Sequence, residues 1–125
     1  MNLLHLKTNM KLAGNTMSTQ EKLPLLQEAH NLIHGQRQAD YGPPHQNFTQ
    51  IAVLWTALLA TKLTKKITPT EVAFMMQQLK VARLLNQPTH HDSLVDGVAY
   101  GALAEVIQQS QASGTPLPGI LGEIA

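Results

Sequence analysis

TPTEVAFMMQQLKVARLL, residues 68–85, contains the clearest helix start in the chain. Thr68 stands where an N-cap hydroxyl is needed, Pro69 suits the first helical position, and Glu71 has the spacing of the reciprocal capping partner. Ile67 and Val72 fall at the two positions of a hydrophobic staple. Behind this start, Val72, Met75, Met76, Leu79 and Ala82 recur at helical spacing, and Phe74, Val81 and Leu85 carry apolar character further around the cylinder. The pattern predicts a mostly buried helix from Pro69 to about Leu85, with Pro88 beyond its end. Lys80 and Arg83 interrupt it three residues apart, so both cations leave the helix on one side.

Helical patterns continue on both sides of this segment. Upstream, Leu25, Leu26, Ala29, Leu32 and Ile33 form one face of a helix over residues 24–35, which Gly35 ends. Phe48, Ile51, Ala52, Trp55, Leu58 and Leu59 form the stripe of a second helix, from Pro43 or Pro44 to about Leu63. Downstream, Leu94, Val95, Val98, Ala99, Ala102, Leu103, Val106 and Ile107 give a wide apolar face to a helix that starts near Asp92 or Ser93 and runs to about Gln111. Gly97 and Gly101, four apart, weaken that helix and point to close approach of a neighbour. No segment alternates as a strand would. The fold class is therefore all-α: a four-helix single-domain bundle over residues 18–112, with a flexible N-terminal arm over residues 1–17 and an extended C-terminal tail over 113–125. Met17 reads as a natural start, and residues 1–16 as an arm or the product of an early start codon. Ser18 and Glu21 have capping-box spacing, although Pro24 favours a later start.

The chain has 125 residues, enough for one core. Aromatic residues make up only 4 %, so Leu, Ile, Val, Met and Ala must fill that core, which favours helices over sheets. A net charge of +1 argues against a general duplex nucleic-acid binder, which would carry a broad basic surface. With no cysteine, disulfides and thiolate metal sites are excluded and a cytoplasmic location is the natural expectation. No apolar run is long enough to span a membrane. The apolar third helix, the Gly-x-x-x-Gly spacing and apolar tail residues Leu117, Ile120 and Leu121 predict a homo-oligomer.

Candidate chemistry concentrates in RQADYGPPHQNF, residues 37–48, read as a loop between two helices. Arg37 offers a guanidinium fork for phosphate, and Tyr41 a ring on which a base can stack. His45 suits proton or phosphoryl transfer. Lys80 and Arg83 suit a phosphate as well, with structural ion pairs to Asp92 or Asp96 as the competing reading. Asp96 could orient a sugar or a metal, whereas Asp92 reads as a helix-start carboxylate. The ligand class is a nucleotide. The six histidines include no His-Glu-x-x-His motif and no thiolate can assist them, so no zinc site is expected, and no Walker-type loop is present. Mg²⁺ is admissible, but no strong acidic cluster dedicates a site to it.

In order along the chain, Arg37, Tyr41-Gly42, Asn47-Phe48, Ile51-Ala52, Trp55, Thr68, Val72, Met76, Leu79-Lys80, Ala82-Arg83, Asp92-Ser93, Asp96 and Tyr100-Gly101 resemble the pattern of an uncharacterised phage and prophage family. The resemblance covers about residues 24–107. Asn47, from the 37–48 segment, and Tyr100, in an i, i+4, i+8 series with Asp92 and Asp96, complete the candidate ligand-binding residues. The family is similar in size and layout to the MazG-like all-α nucleoside triphosphate pyrophosphohydrolases, whose Glu-Glu-x-x-Glu helix this chain lacks: Glu71 stands alone there. A second, looser similarity is to the T7-type phage nucleotide kinase, which implies phosphate binding by cations without a Walker loop. The expected function is a phage-type nucleotide-handling protein, possible activities being those of a nucleotide kinase or a pyrophosphohydrolase. The alternatives are a non-catalytic protein that sequesters a nucleotide or cyclic nucleotide, and a structural helical oligomer.

Overall fold

The computed structural model describes residues 24–125. The expected N-terminal arm and the Ser18–Glu21 capping box lie outside the described residues. The order of elements is α1 (Leu25–His34), α2 (Gln36–Tyr41), α3 (Pro44–Leu58), α4 (Pro69–Asn86), α5 (His91–Ala112) and α6 (Ile120–Ile124). The architecture is all-α, with no strand among the described residues. Helix α5 is the centre: α1, α3 and α4 all pack on it. The core is built from Ala29 and Ile33 of α1, Phe48 and Ala52 of α3, Val72 and Ala73 of α4, and Val95, Ala99, Leu103, Ala104 and Ile107 of α5.

The start of α4 follows the sequence closely. Thr68 accepts the Glu71 backbone N–H at 3.1 Å, Pro69 is the first helical residue, and Ile67 and Val72 are both buried. The start of α5 differs from the expected Asp92 or Ser93. His90 is the N-cap, and its Nδ1 accepts the Ser93 backbone N–H at 3.2 Å. The imidazole does what a hydroxyl or carboxylate usually does at such a start. Helix α3 ends at Leu58, earlier than expected. The chain turns there, and the Thr56 hydroxyl accepts the Ile67 N–H at 2.9 Å, tying the end of α3 to the approach to α4.

Three further expectations need correction. Residues 36–41 are a helical turn rather than a loop, ended by Gly42 at φ 76°, a backbone region that glycine enters without Cβ strain. The tail is not wholly extended: residues 120–124 form α6, which packs on α3, where Lys66 Nζ donates to the Ile124 and Ala125 oxygens at 3.4 and 3.3 Å. Helix α4 is not mostly buried. Phe74, Met75, Leu79, Val81 and Leu85 of its apolar pattern are exposed, as are Leu26 of α1 and Leu58 of α3.

Candidate functional site

Because residues 36–41 are helical, Arg37 and Tyr41 stand one turn apart on the same face. The Arg37 guanidinium carbon lies 5.1 Å from the Tyr41 ring centroid and 4.9 Å from that of Phe48. It rests on two π faces, a favourable place for a cation. Phe48 is fully buried, and its ring is 6.2 Å from that of Tyr100 on α5. Tyr41 remains 60 % exposed. His45 lies one turn before Phe48 on α3, with 9 % of its surface exposed, so it is a buried helical residue rather than a loop histidine. Asn47 is half-buried in the first turn of α3, where its N–H bonds the Pro43 carbonyl.

Two buried side-chain polar atoms among the described residues have no hydrogen-bond partner: Arg37 Nη1 and His45 Nδ1. Both belong to residues that border Phe48. A buried guanidinium nitrogen without an acceptor is costly, because its lost hydration is not replaced. The start of α3 adds to this. Pro43 provides no side-chain cap, so the first free N–H groups of a 15-residue helix lie next to His45.

The second group of candidates is organised differently. Lys80 Nζ and Asp96 Oδ2 are 2.9 Å apart, with the two side chains 13 % and 29 % exposed. Thus Lys80 is engaged in a structural ion pair with one of the two partners considered for it. Arg83 is exposed in the last turn of α4, where a cation complements the helix dipole. Helix α2, bearing Arg37 and Tyr41, does not pack against α4, bearing Lys80 and Arg83. The expected site residues therefore separate into an Arg37–Tyr41–His45–Tyr100 group and the Lys80–Asp96 pair, with Tyr100 and Asp96 one turn apart on α5.

Sequence reasoning missed two features. Phe48 was placed only in the core stripe, yet it is also the platform beneath Arg37. Glu28 and His91 form a 2.7 Å contact between α1 and α5, across 63 positions of sequence. No local spacing could have signalled that pair. Glu28, Asp92 and Asp96 line a shared cleft of about 320 Å³ with Leu32 and Val95. Two of its three carboxylates already have cationic or imidazole partners, and among the described residues no group of three His, Asp or Glu side chains could hold a metal ion.

Residues 24–108, containing both groups, match the family described as a domain of unknown function (DUF6378). The chain belongs to this family. Among DUF6378 relatives, the Gene 55 protein of Mycobacterium phage D29 is 37 % identical over 92 residues, covering 74 % of this chain and 58 % of that protein. The Gene 55 protein of Mycobacterium phage L5 is 38 % identical over 86 residues, covering 69 % and 53 % respectively. The chain thus spans slightly more than half the length of the curated relatives it matches. No solved structure matches it. The resemblance to a phage family is accordingly established for this DUF6378 chain. No helix among the described residues is long and apolar enough to cross a membrane.

Proposed function

We propose that this DUF6378 protein binds a nucleotide, with Arg37 and His45 holding a phosphate and the exposed ring of Tyr41 stacking on the base. The observation that carries this reading is the pair of buried, unpartnered side-chain atoms, Arg37 Nη1 and His45 Nδ1, both from residues that precede Phe48 and are joined to it by ring contact or by one helical turn. A phosphate oxygen supplies the acceptor that the guanidinium lacks, and the uncapped start of α3 favours negative charge there. Tyr41 presents its ring to solvent beside that cation, the arrangement required for stacking a planar base next to its phosphate.

Lys80 is held by Asp96, so the main phosphate contact in this reading passes from α4 to Arg37. A MazG-like hydrolysis would need converging carboxylates for Mg²⁺, and the cleft lined by Glu28, Asp92 and Asp96 commits two of its three to internal partners. Kinase-like transfer would need a second substrate beside His45. Binding without turnover is therefore the reading favoured here over both reactions.

Isothermal titration with nucleoside mono-, di- and triphosphates tests it, with the bare nucleoside and inorganic phosphate as controls and product analysis in the presence of Mg²⁺. A nucleotide is expected to bind more tightly than either half alone, and Arg37→Met to weaken it more than tenfold, a loss of about 1.4 kcal/mol or more. Equal nucleotide affinity in a folded Arg37→Met variant overturns the assignment. New phosphorylated or hydrolysed products would replace binding with catalysis.

A further inference from the structure

We infer that the outer face of the α4–α5 hairpin is the contact surface for a second copy of this chain. Helix α4 carries apolar side chains on both its core and its solvent sides. Towards the core it places Ala73, Gln77 and Lys80, whose polar ends are satisfied by the Gly97 carbonyl at 2.9 Å and by Asp96. Towards solvent it places Phe74, Met75, Leu79, Val81 and Leu85, which are 41–80 % exposed. Leu94 and Val98 of α5 extend this surface at 39 % and 38 % exposure. A surface helix normally turns polar side chains to solvent.

The size and chemistry of the surface select its occupant. These seven side chains present on the order of 600 Å² of apolar surface, at the upper end for a monomer and close to the roughly 800 Å² that each partner brings to a stable interface. The outward side of α4 carries no charged residue between Glu71 and Arg83. Lys80 borders the groove but is engaged by Asp96, so recognition by charge is not favoured there, whereas a face resembling a domain core cut in half is the pattern of homodimers.

The surface also contains both halves of a self-complementary fit. Its ridge is Phe74 and Leu85, 47 % and 80 % exposed. Its groove, of about 400 Å³, runs between α4 and α5 among Val81, Leu84, Leu94, Gly97 and Val98, with Gln77, Gln78, Lys80 and Ser93 along its polar side. Gly101 is used within the chain: a Cβ there would lie 2.9 Å from Gln77 Nε2. Gly97 has no such internal use, because a Cβ there would meet nothing within 4 Å. A helical glycine costs about 1 kcal/mol against alanine. Its notch in the groove admits an apolar side chain from outside, and a two-fold axis lets each copy's ridge enter the other's groove.

Sedimentation velocity on the full chain, from about 1 to 100 µM, tests the inference. A dimer is expected. Val81→Glu and Leu85→Glu, made separately, are expected to give folded monomers, since both side chains are exposed within one copy and the single-copy fold does not need them. Leu26→Glu, at an equally exposed position on α1, is expected to leave the dimer intact. A monomeric wild-type chain over the whole range overturns the inference and assigns the cover to residues 1–23 or to a different protein. A dimer that survives both hairpin variants also overturns it.

Discussion

Single residues separate what this protein uses for stability from what it holds ready. Lys80 and Asp96 are partly screened from water and matched to each other. Lys80→Met should therefore cost about 1–3 kcal/mol in urea denaturation, chiefly by leaving Asp96 unpaired, and Asp96→Leu in the same background should recover most of it. A double mutant no more stable than the single would mean that the pair is worth more than its desolvation. Arg37 behaves in the opposite way. Its Nη1 gains no acceptor from the fold, so Arg37→Met, which keeps the packing on Tyr41 and Phe48, should leave stability unchanged or raise it by about 1 kcal/mol. Such an outcome would mean that the guanidinium is not needed for folding.

At the scale of the element, caps and crossings decide where helices begin and end. Thr68→Ala should cost about 1 kcal/mol by removing the acceptor for the Glu71 N–H. Thr56→Val should cost about 1–3 kcal/mol by orphaning the N–H of buried Ile67, the larger effect although it lies on a different helix. Thermal or chemical denaturation of the two variants checks that order. The start of α4 was legible because all its signals are local: cap, proline and staple lie within six residues. The α2 turn was not, because proline and glycine around Tyr41 read as a loop and only the tertiary contact of Arg37 with Phe48 rewards a helix there. His90 as a cap was hidden for a similar reason, imidazole being an uncommon acceptor at that position. The predicted burial of α4 failed because periodicity reports that a face is apolar without saying whether the rest of the chain covers it. Candidate residues Arg37, Tyr41 and Tyr100 were legible as chemistry. Their grouping apart from Lys80 was not, since it follows from how α2 and α4 pack.

For the whole molecule, the position of α5 has a consequence for the order in which the chain acquires protection. Helices α4 and α5 are joined by only residues 87–90, so their pairing closes a short loop and can form early. The α1–α5 contact, which includes Glu28 and His91, must close a loop of some sixty residues and comes at greater entropic cost. Native-state hydrogen exchange should therefore rank the amides. Those of Ala99, Leu103 and Ile107 should exchange only on global unfolding, whereas α1 and α2 should open at lower free energy and detach as a unit. Equal protection in α1 and α5 would contradict this ranking. If α2 does lift with α1, the Arg37 cradle opens below the free energy of global unfolding, and a ligand that bridges Arg37 and His45 would act as a latch, slowing exchange in α1 without touching it.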